Sequence, residues 1–273
     1  MLFRSEPRFF GHSSEGLYFG VEYELEFPTL WDAQQGTRIV SAANDLLGNP
    51  FYLKHDSSLS KYGFEIVSHP FSRGWFDTRY PAEMVQALQG LGAGPTNNYG
   101  DESAGIHIHV SKDAFTPYHL YKFLHFHYEF AELVQRVAGR AGSYYASFDR
   151  DKNGFVWKYK PNGDMVKSYT SKMRAMASKK DSNPDRYMAC NLQNDDTVEL
   201  RYFRSTAKIE RLRAYVQFVD AVYHYTKLSK MSMRAISKRV MSEHDFLSWL
   251  RDNAQSYPDT VALFDRNEAY KPE

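Results

Sequence analysis

Apolar and polar residues alternate one by one along three stretches of the chain. The first is LYFGVEYELEFP, which ends at Pro28, the second is GIHIHVS, and the third is DTVELRYFRST. Because successive side chains of a strand point to opposite faces, each stretch predicts a β-strand with one apolar and one polar face. The segment FYLKHDSSLSKYGFEIVSHPFS predicts a hairpin around a turn that contains Gly63, and YMACNLQ predicts a strand that joins the third stretch through a turn at 194–196.

Other segments have the apolar spacing of amphipathic helices. TRIVSAANDLLGN ends near Gly48, and PAEMVQALQGLG begins on a proline and stops at glycines. TPYHLYKFLHFHYEFAELVQRVAG predicts one long helix, with Thr116 as its N-cap and Gly139 at its end. KIERLRAYVQFVDAVYHYTKL predicts a second long helix, and SEHDFLSWLRDNA begins a short helical tail.

The strands are scattered between helices and several come as hairpin-like pairs. This order favours an α+β fold with a mostly antiparallel sheet and helices packed on one side. We expect one domain over residues 1–235, followed by the helical tail at 236–273. Within the domain, the region of about 142–185 is polar and weakly periodic, which predicts a loop-rich excursion.

Composition narrows the class of protein. The chain has 273 residues, of which 42% are hydrophobic and 25% charged, as in ordinary soluble globular proteins. A net charge of +1 argues against a protein whose main task is to bind nucleic acid. The single cysteine, Cys190, has no partner for an internal disulfide, which predicts a reducing, cytoplasmic setting. Neither a secretory leader nor a membrane span is visible in the sequence, so no membrane partner is expected.

The polar faces of the first two strands carry groups that bind metals. The first strand presents Glu22, Glu24 and Glu26, whose charges would repel each other and require cations if that face were buried. The second presents His107 and His109, and imidazole binds metals and hydrogen-bonds to phosphate oxygens. Taken alone, each set is equally typical of a solvated strand face.

The remaining polar candidates lie on the third strand and on the hairpin. Glu199 and Arg201 share one face of the third strand, and Arg204 follows just beyond. A carboxylate can bind a metal ion and a guanidinium a phosphate, although an ordinary surface ion pair has the same pattern. Asp56 and Glu65 add carboxylates on the hairpin, where ordinary turn and strand roles would also explain them.

The repetition of this design on three strands is more informative than any one of them. Carboxylate oxygens with some imidazole suit Mg²⁺ or Mn²⁺, and neighbouring arginines suit a nucleoside triphosphate. Together they indicate phosphoryl-transfer chemistry. The sequence contains neither G-x-x-x-x-G-K-[ST] nor a G-x-G-x-x-G after a strand, so a sheet face rather than a glycine loop would bind ATP.

The order GVEYELEF, HDSSL…GFEIVS, GIHIHVS, VELRYFRS resembles the amidoligase family of carboxylate–amine ligases, which has the catalytic fold of glutamine synthetase and glutamate–cysteine ligase. The four blocks span about residues 17–206. The resemblance implies a curved antiparallel sheet that forms an active-site funnel, two or three divalent cations, and ATP. It also implies that a carboxylate substrate is phosphorylated to an acyl phosphate and that an amine then attacks to give an amide.

The resemblance implies roles for individual residues. Glu22 and Glu24 would each bind a different metal ion. The expected metal ligands are Glu22 with His107 and Glu199, and Glu24 with Glu65. The expected contacts to ATP and its transferring phosphoryl group are His109, Arg201 and Arg204. Asp56 lies in a D-x-S block and would position the amine, whereas Glu26 matches no role and is expected on a solvated strand face.

The substrates stay open between amino acids, peptides, protein tails and cell-wall precursors. The excursion at about 142–185 has no counterpart in the resemblance, and we expect it to cover the funnel as a substrate loop. Its lysines and tyrosines would then select an acidic or peptidic substrate.

Two other classes of protein compete with the ligase. A metal-dependent hydrolase can use H-x-H, but in its barrel form that motif lies on an early strand of a βα repeat, which is not visible here. A binding module could stack ligands on the aromatics of YHLYKFLHFHYEF, but their helical spacing favours a core role. His125 and His127 are two apart on a helix and do not face each other, and Cys190 is expected to be a small core residue.

Overall fold

The structure is a computed structural model that describes residues 6–97, 99–100, 102–142, 146–148, 187–228 and 242–267. The chain divides into two compact units. The first consists of Met1–Ala114 and Tyr202–Arg213, and the second of Phe115–Arg201 and Ala214–Glu273. The predicted excursion at about 142–185 lies almost entirely outside the described residues.

The strands occur where the alternating patterns predict them. They are β1 (Phe19–Leu25), β2 (Phe51–Lys54), β3 (Phe64–Ser68), β4 (Gly105–Ser111), β5 (Cys190–Asn191) and β6 (Thr197–Arg204). The strand order is β2-β3-β1-β4-β6-β5, so the sheet is open. The pairs β1–β3, β1–β4, β2–β3 and β5–β6 are antiparallel, which confirms an α+β protein with an antiparallel sheet.

The helices of the described residues lie between and after these strands. They are α1 (Leu30–Leu47), α2 (Arg73–Arg79), α3 (Ala82–Gly90), α4 (Pro117–Glu129), α5 (Ala131–Ala138), α6 (Ile209–Leu228), α7 (Glu243–Asp252) and α8 (Pro258–Asn267). The sequence patterns predict helical structure in all of these segments except α2, which Ser72 caps by accepting a hydrogen bond from the Trp75 amide. No helix of the described residues is long and apolar enough to cross a membrane.

The apolar strand faces of the first unit form its core. On β1, Val21, Tyr23 and Leu25 are almost completely buried, and the apolar residues of β4 are equally enclosed. Val40 of α1 and Leu88 of α3 are also fully buried. Since the apolar side chains of these strands are anchored in the core, the alternate side chains are left for the opposite, polar face.

Helix α1 begins earlier than predicted. The pattern starts it at Thr37, whereas the helix starts at Leu30, and the Thr29 hydroxyl caps it by accepting from the Asp32 amide. Its first turns bury Ala33 and Gly36, which are small and give little apolar signal. A Cβ on Gly36 would lie about 3 Å from the rings of Phe27 and Phe64, so close packing explains the small residue.

The second unit is built on aromatic helices. The predicted single helix after Thr116 is instead two helices, because Phe130 leaves the helical conformation at φ −106° and ψ 42°. Phe123 and Phe126 of α4 and Phe218 of α6 are fully buried, which confirms the core role of these aromatics. The tail belongs to this unit too, since the Gln217 side chain of α6 accepts from the backbone amide of Asp259 at the start of α8 (2.9 Å).

Candidate metal and substrate site

The polar side chains of the first unit meet across four strands. Glu22 of β1 lies directly opposite His107 of β4, and Glu24 lies opposite Glu65 of β3. On the next strand, β2, Lys54 lies opposite Glu65. Because directly opposite residues of paired strands project from the same face, these five side chains share the polar face.

Glu22 is held by both histidines of β4. Its two carboxylate oxygens lie 3.1 Å from Nδ1 of His107 and 3.3 Å from Nε2 of His109. Burial opposes the charged form of this carboxylate, but the hydrogen bonds and the Coulombic attraction of the two histidines together outweigh burial and hold the pKa of Glu22 well below its ordinary value. Glu22 is therefore ionised at neutral pH and ready to bind a cation.

His107 lies between two glutamates rather than beside one. Its Nε2 is 3.8 Å from a carboxylate oxygen of Glu24, while its Nδ1 faces Glu22. The other oxygen of Glu24 accepts a hydrogen bond from the Gly105 backbone amide at 2.5 Å, which fixes this buried carboxylate at the start of β4. The imidazole thus joins the two carboxylates that the resemblance assigns to separate metal ions.

Glu65 is buried and forms an ion pair with a lysine of the neighbouring strand. Its side chain is 1% exposed, and a carboxylate oxygen lies 3.1 Å from Nζ of Lys54. Burial and the charge of Glu22 raise the pKa of Glu65 to about 7, although Lys54 opposes the rise. Sequence reasoning missed Lys54, because its role depends on the hairpin register and not on its local sequence.

Asp56 lies two residues after the end of β2. Its carboxylate accepts a hydrogen bond from the Ser58 backbone amide at 2.7 Å. Burial raises the pKa of Asp56, but its hydrogen bonds with Ser58 outweigh burial, so that the net shift is downward. Asp56 is thus a charged carboxylate held in a local turn at the end of the hairpin strand.

Glu26 is not on a solvated face, so that prediction is wrong. It is 1% exposed, and its carboxylate accepts from the Ser60 amide (2.8 Å), the Ser60 hydroxyl (2.5 Å) and the Ser103 hydroxyl (2.8 Å). These donors supply hydrogen bonds to a buried carboxyl group and tie the β2–β3 turn and the loop before β4 to the end of β1. The serines are far from Glu26 in sequence, so no local signal predicts the contact.

Arg204, at the end of β6, belongs to the first unit. One of its terminal nitrogens donates to the Glu102 carboxylate, a partner that sequence reasoning missed. Within the described residues, Nε of Arg204 is buried and has no hydrogen-bond partner. The guanidinium therefore keeps a donor for an additional anion.

Glu199 and Arg201 lie in the second unit and do form the ion pair that their shared strand face allows. Glu199 is buried, so this is not a surface pair, and Arg201 donates to one of its carboxylate oxygens. Asn191, directly opposite on β5, donates to the other oxygen at 2.8 Å. Sequence reasoning missed Asn191, which fixes the orientation of Glu199.

The donor set of the polar face fits a divalent cation. Glu22 and His107 belong to a group of carboxylate and imidazole side chains whose ligand atoms lie within 4.8 Å of one another. Carboxylate oxygens with an imidazole suit Mg²⁺ or Mn²⁺, and Glu22 is already ionised without a metal. The first unit is therefore an antiparallel sheet with a candidate carboxylate–imidazole metal site.

Comparison with known families agrees with this class of site. The sequence model of a family described as "Putative amidoligase enzyme" matches residues 30–223, which is more than half of the chain. The chain belongs to this amidoligase family, as the order of its motifs suggests. The match includes β3, β4 and β6 but begins after β1, whose position beside β3 and β4 follows from the strand register. No curated protein matches the chain.

Membership of this family supports a ligase that joins a carboxylate to an amine. The family match contains His107 but not Glu22 or Glu24, so the two carboxylates of the cluster are an observation additional to the family assignment. The predicted division of roles among the individual site residues remains a prediction.

Proposed function

We propose that this protein is an ATP-dependent carboxylate–amine ligase that forms an amide through an acyl-phosphate intermediate. The observation that carries the proposal is the cluster of Glu22, Glu24 and His107 on the polar face of an antiparallel sheet, in a member of the amidoligase family. The same sheet supports a fold like that of glutamine synthetase, with the polar face as the wall of an active-site funnel. A cytoplasmic location stays a prediction from the lone Cys190.

Divalent cations, Mg²⁺ or Mn²⁺, would be held by the glutamates and one histidine. We propose that Glu22 and His107 bind one ion and that Glu24 and Glu65 bind a second, while the role of Glu199 stays the prediction that the resemblance gives. When bound, such ions neutralise phosphate charge and polarise the oxygens of the transferring group. The carboxylate-rich donor set and the ionised state of Glu22 support these assignments.

The basic residues would bind the phosphates. This role is best supported for Arg204, because its buried Nε has no hydrogen-bond partner in the described structure and a phosphate oxygen would supply one. His109 would contact the ATP phosphates, and the role of Arg201 at the transferring phosphoryl group stays the prediction that the resemblance gives. A guanidinium suits this task because its planar donors match a phosphate in two places at once.

The proposed reaction consists of two successive displacement steps. An oxygen of the substrate carboxylate forms a bond to the terminal phosphorus of ATP while the bond to ADP breaks. The amine nitrogen then attacks the acyl carbon, inorganic phosphate leaves, and the nitrogen loses a proton. Asp56, a charged carboxylate at the hairpin turn, would hold the amine for this second step.

The test is ADP release together with mass spectrometry of products from a panel of amino acids and peptides. The wild-type protein should release ADP only with Mg²⁺ or Mn²⁺ and should give products lighter by one water than the two substrates. Glu22→Gln should lower turnover by at least about 100-fold, since it removes a charged metal ligand and leaves the strand intact. Glu83→Gln, an exposed glutamate of α3, is the matched control and should keep full activity.

Two outcomes would contradict the proposal. Full turnover in excess EDTA would exclude the metal-dependent mechanism. Metal-dependent cleavage of peptides without ADP release would instead support the alternative of a metal-dependent hydrolase. Arg201→Lys should also be strongly impaired, because a lysine offers a point charge in place of the guanidinium fork.

A further inference from the structure

We infer that Lys54 is a built-in counter-ion of the carboxylate pair Glu24 and Glu65, and that a divalent cation binding to this pair must displace its ammonium group. The inference rests on the proposed function, because it concerns the second of the two proposed metal sites. It assigns a role to a residue outside the four sequence blocks that carry the chemistry.

The first step is the order of charges across the strands. Glu65 of β3 is flanked by Glu24 on one side and Lys54 on the other, each directly opposite it in the register. The ammonium nitrogen lies 3.1 Å from a Glu65 carboxylate oxygen. The three ionisable side chains therefore form one row across the strands: the Lys54 ammonium, the Glu65 carboxyl group and the Glu24 carboxyl group.

The second step is that the two glutamates need compensation. Like charges directly opposite each other on paired strands are destabilising, and both of these carboxylates are buried. The Glu24 carboxylate accepts a hydrogen bond from the Gly105 backbone amide. For Glu65 the contact in the described structure is Lys54, so the lysine supplies the charge that a metal ion would otherwise provide.

The third step is that this lysine can leave. β2 is at the edge of the sheet, Lys54 is its last residue, and the lysine side chain is 50% exposed while Glu65 is 1% exposed. The flexible stem lets the ammonium move into solvent, and a half-exposed ion pair holds it only weakly. The carboxylates, in contrast, stay fixed on the central strands.

The fourth step is the cost that Lys54 adds to metal binding. A doubly charged ion and an ammonium group 4 Å apart repel each other enough to weaken binding by about thirtyfold, even with the dielectric constant of water. Because the ammonium moves away instead of staying, we expect a smaller effect, about tenfold. The second site should therefore fill after the site at Glu22, whose partners are imidazoles.

The experiment is a titration of the metal-free, full-length protein with Mn²⁺ alone, followed by electron paramagnetic resonance and calorimetry. Lys54→Met should tighten the weaker Mn²⁺ site about tenfold, and Lys54→Arg should leave it close to wild type. Lys61→Met is the matched control. It removes the same charge from the same hairpin, but Lys61 is exposed and its ammonium lies over the Tyr62 ring, 4.9 Å from the ring centre.

A double variant makes the comparison specific. In a Glu65→Gln background the effect of Lys54→Met should disappear, because the carboxylate that Lys54 neutralises is gone. If Lys54→Met disturbs the edge strand, Lys54→Gln gives the same comparison with a polar side chain. A Mn²⁺ affinity of Lys54→Met within twofold of Lys61→Met, or weaker than it, overturns the inference.

Failure of this inference can be told apart from failure of the proposed function. If the wild type releases ADP and Lys54→Met binds Mn²⁺ no better than Lys61→Met, only the role of Lys54 is wrong. If Lys54→Met gains Mn²⁺ affinity but no ATP turnover occurs with any substrate, the counter-ion role stands and the ligase proposal falls.

Discussion

Two sets of histidines in this protein have opposite surroundings. On β4, His107 and His109 face the carboxylate of Glu22, at 3.1 and 3.3 Å. On α4, His127 is fully buried, packs against the Phe123 ring at 4.6 Å, and uses its Nδ1 to donate to a backbone carbonyl. The strand histidines meet charges that attract cations, whereas the helix histidine meets apolar rings and a neutral acceptor.

The difference shows that partners, not residue type, decide what a histidine does. Burial lowers the pKa of His127 to about 4 and of His119, on the same helix, to about 4, so both are neutral at pH 7. The strand histidines act on their partner instead, because their hydrogen bonds keep Glu22 ionised. The same side chain thus supports the core in one place and a candidate cation site in the other.

The largest expected effect is on stability, from the helix histidine. His127→Ala should lower the free energy of unfolding by about 3 kcal/mol, because it leaves a cavity in a packed aromatic core. Urea denaturation measures this, with His244→Ala as control, since that side chain is 92% exposed and should change stability by less than about 0.5 kcal/mol. A changed Mn²⁺ affinity in folded His127→Ala would contradict the division between the two sets.

The second effect is on metal binding, from the strand histidine. His107→Ala should weaken Mn²⁺ binding about 100-fold, or about 2.7 kcal/mol, because it removes a proposed ligand that faces both Glu22 and Glu24. Calorimetry of the metal-free protein measures it. His109→Ala is the matched comparison and should weaken Mn²⁺ binding less, since its proposed contact is with ATP phosphates. Equal losses for the two variants would show that the histidines do not divide their roles this way.

The strands and the helix that carry these histidines could be predicted from the sequence, whereas the contacts between segments distant in the chain could not. The alternation in GVEYELEF and GIHIHVS gives both the strands and the residues of their polar faces, because a two-residue period is a local property. The helical spacing of the α4 aromatics likewise predicts a core, and the two-residue separation of His125 and His127 argues against a metal pair. Thr29 and Asp32 form a capping pattern that could have placed the start of α1.

Glu26 and Lys54 show what local patterns leave out. Glu26 has the same spacing as Glu22 and Glu24, yet it is buried and accepts hydrogen bonds from serines 34 and 77 residues away. Lys54 becomes a partner of Glu65 only through the hairpin register. The break between α4 and α5 at Phe130 is not marked in the sequence by a proline or a glycine. Each of these depends on tertiary contacts, which single-sequence periodicity does not contain.

The smallest expected effect is on how the stability of the metal-free protein depends on pH. Its sign differs between His127 of the helix and Glu65 of the carboxylate row. For His127 the folded pKa of about 4 lies below the ordinary 6.5, so its stabilisation is complete above pH 6.5 and is lost as pH falls towards 4. For Glu65 the folded pKa of about 7 lies above the ordinary 4.5, so its stabilisation is present below pH 4.5 and is lost as pH rises through 7. Glu22, with a lowered pKa, adds its change only below pH 4.5.

Between pH 7 and pH 5.5 the two groups therefore oppose each other, each by about 1 kcal/mol. Urea denaturation in EDTA at both pH values measures the balance. Relative to the wild type, acidification should stabilise His127→Asn, which keeps a donor for the Phe123 carbonyl but does not titrate, and should destabilise Glu65→Gln. Shifts of the same sign in the two variants would mean that the helix histidine and the carboxylate row are not the opposite environments that their contacts indicate.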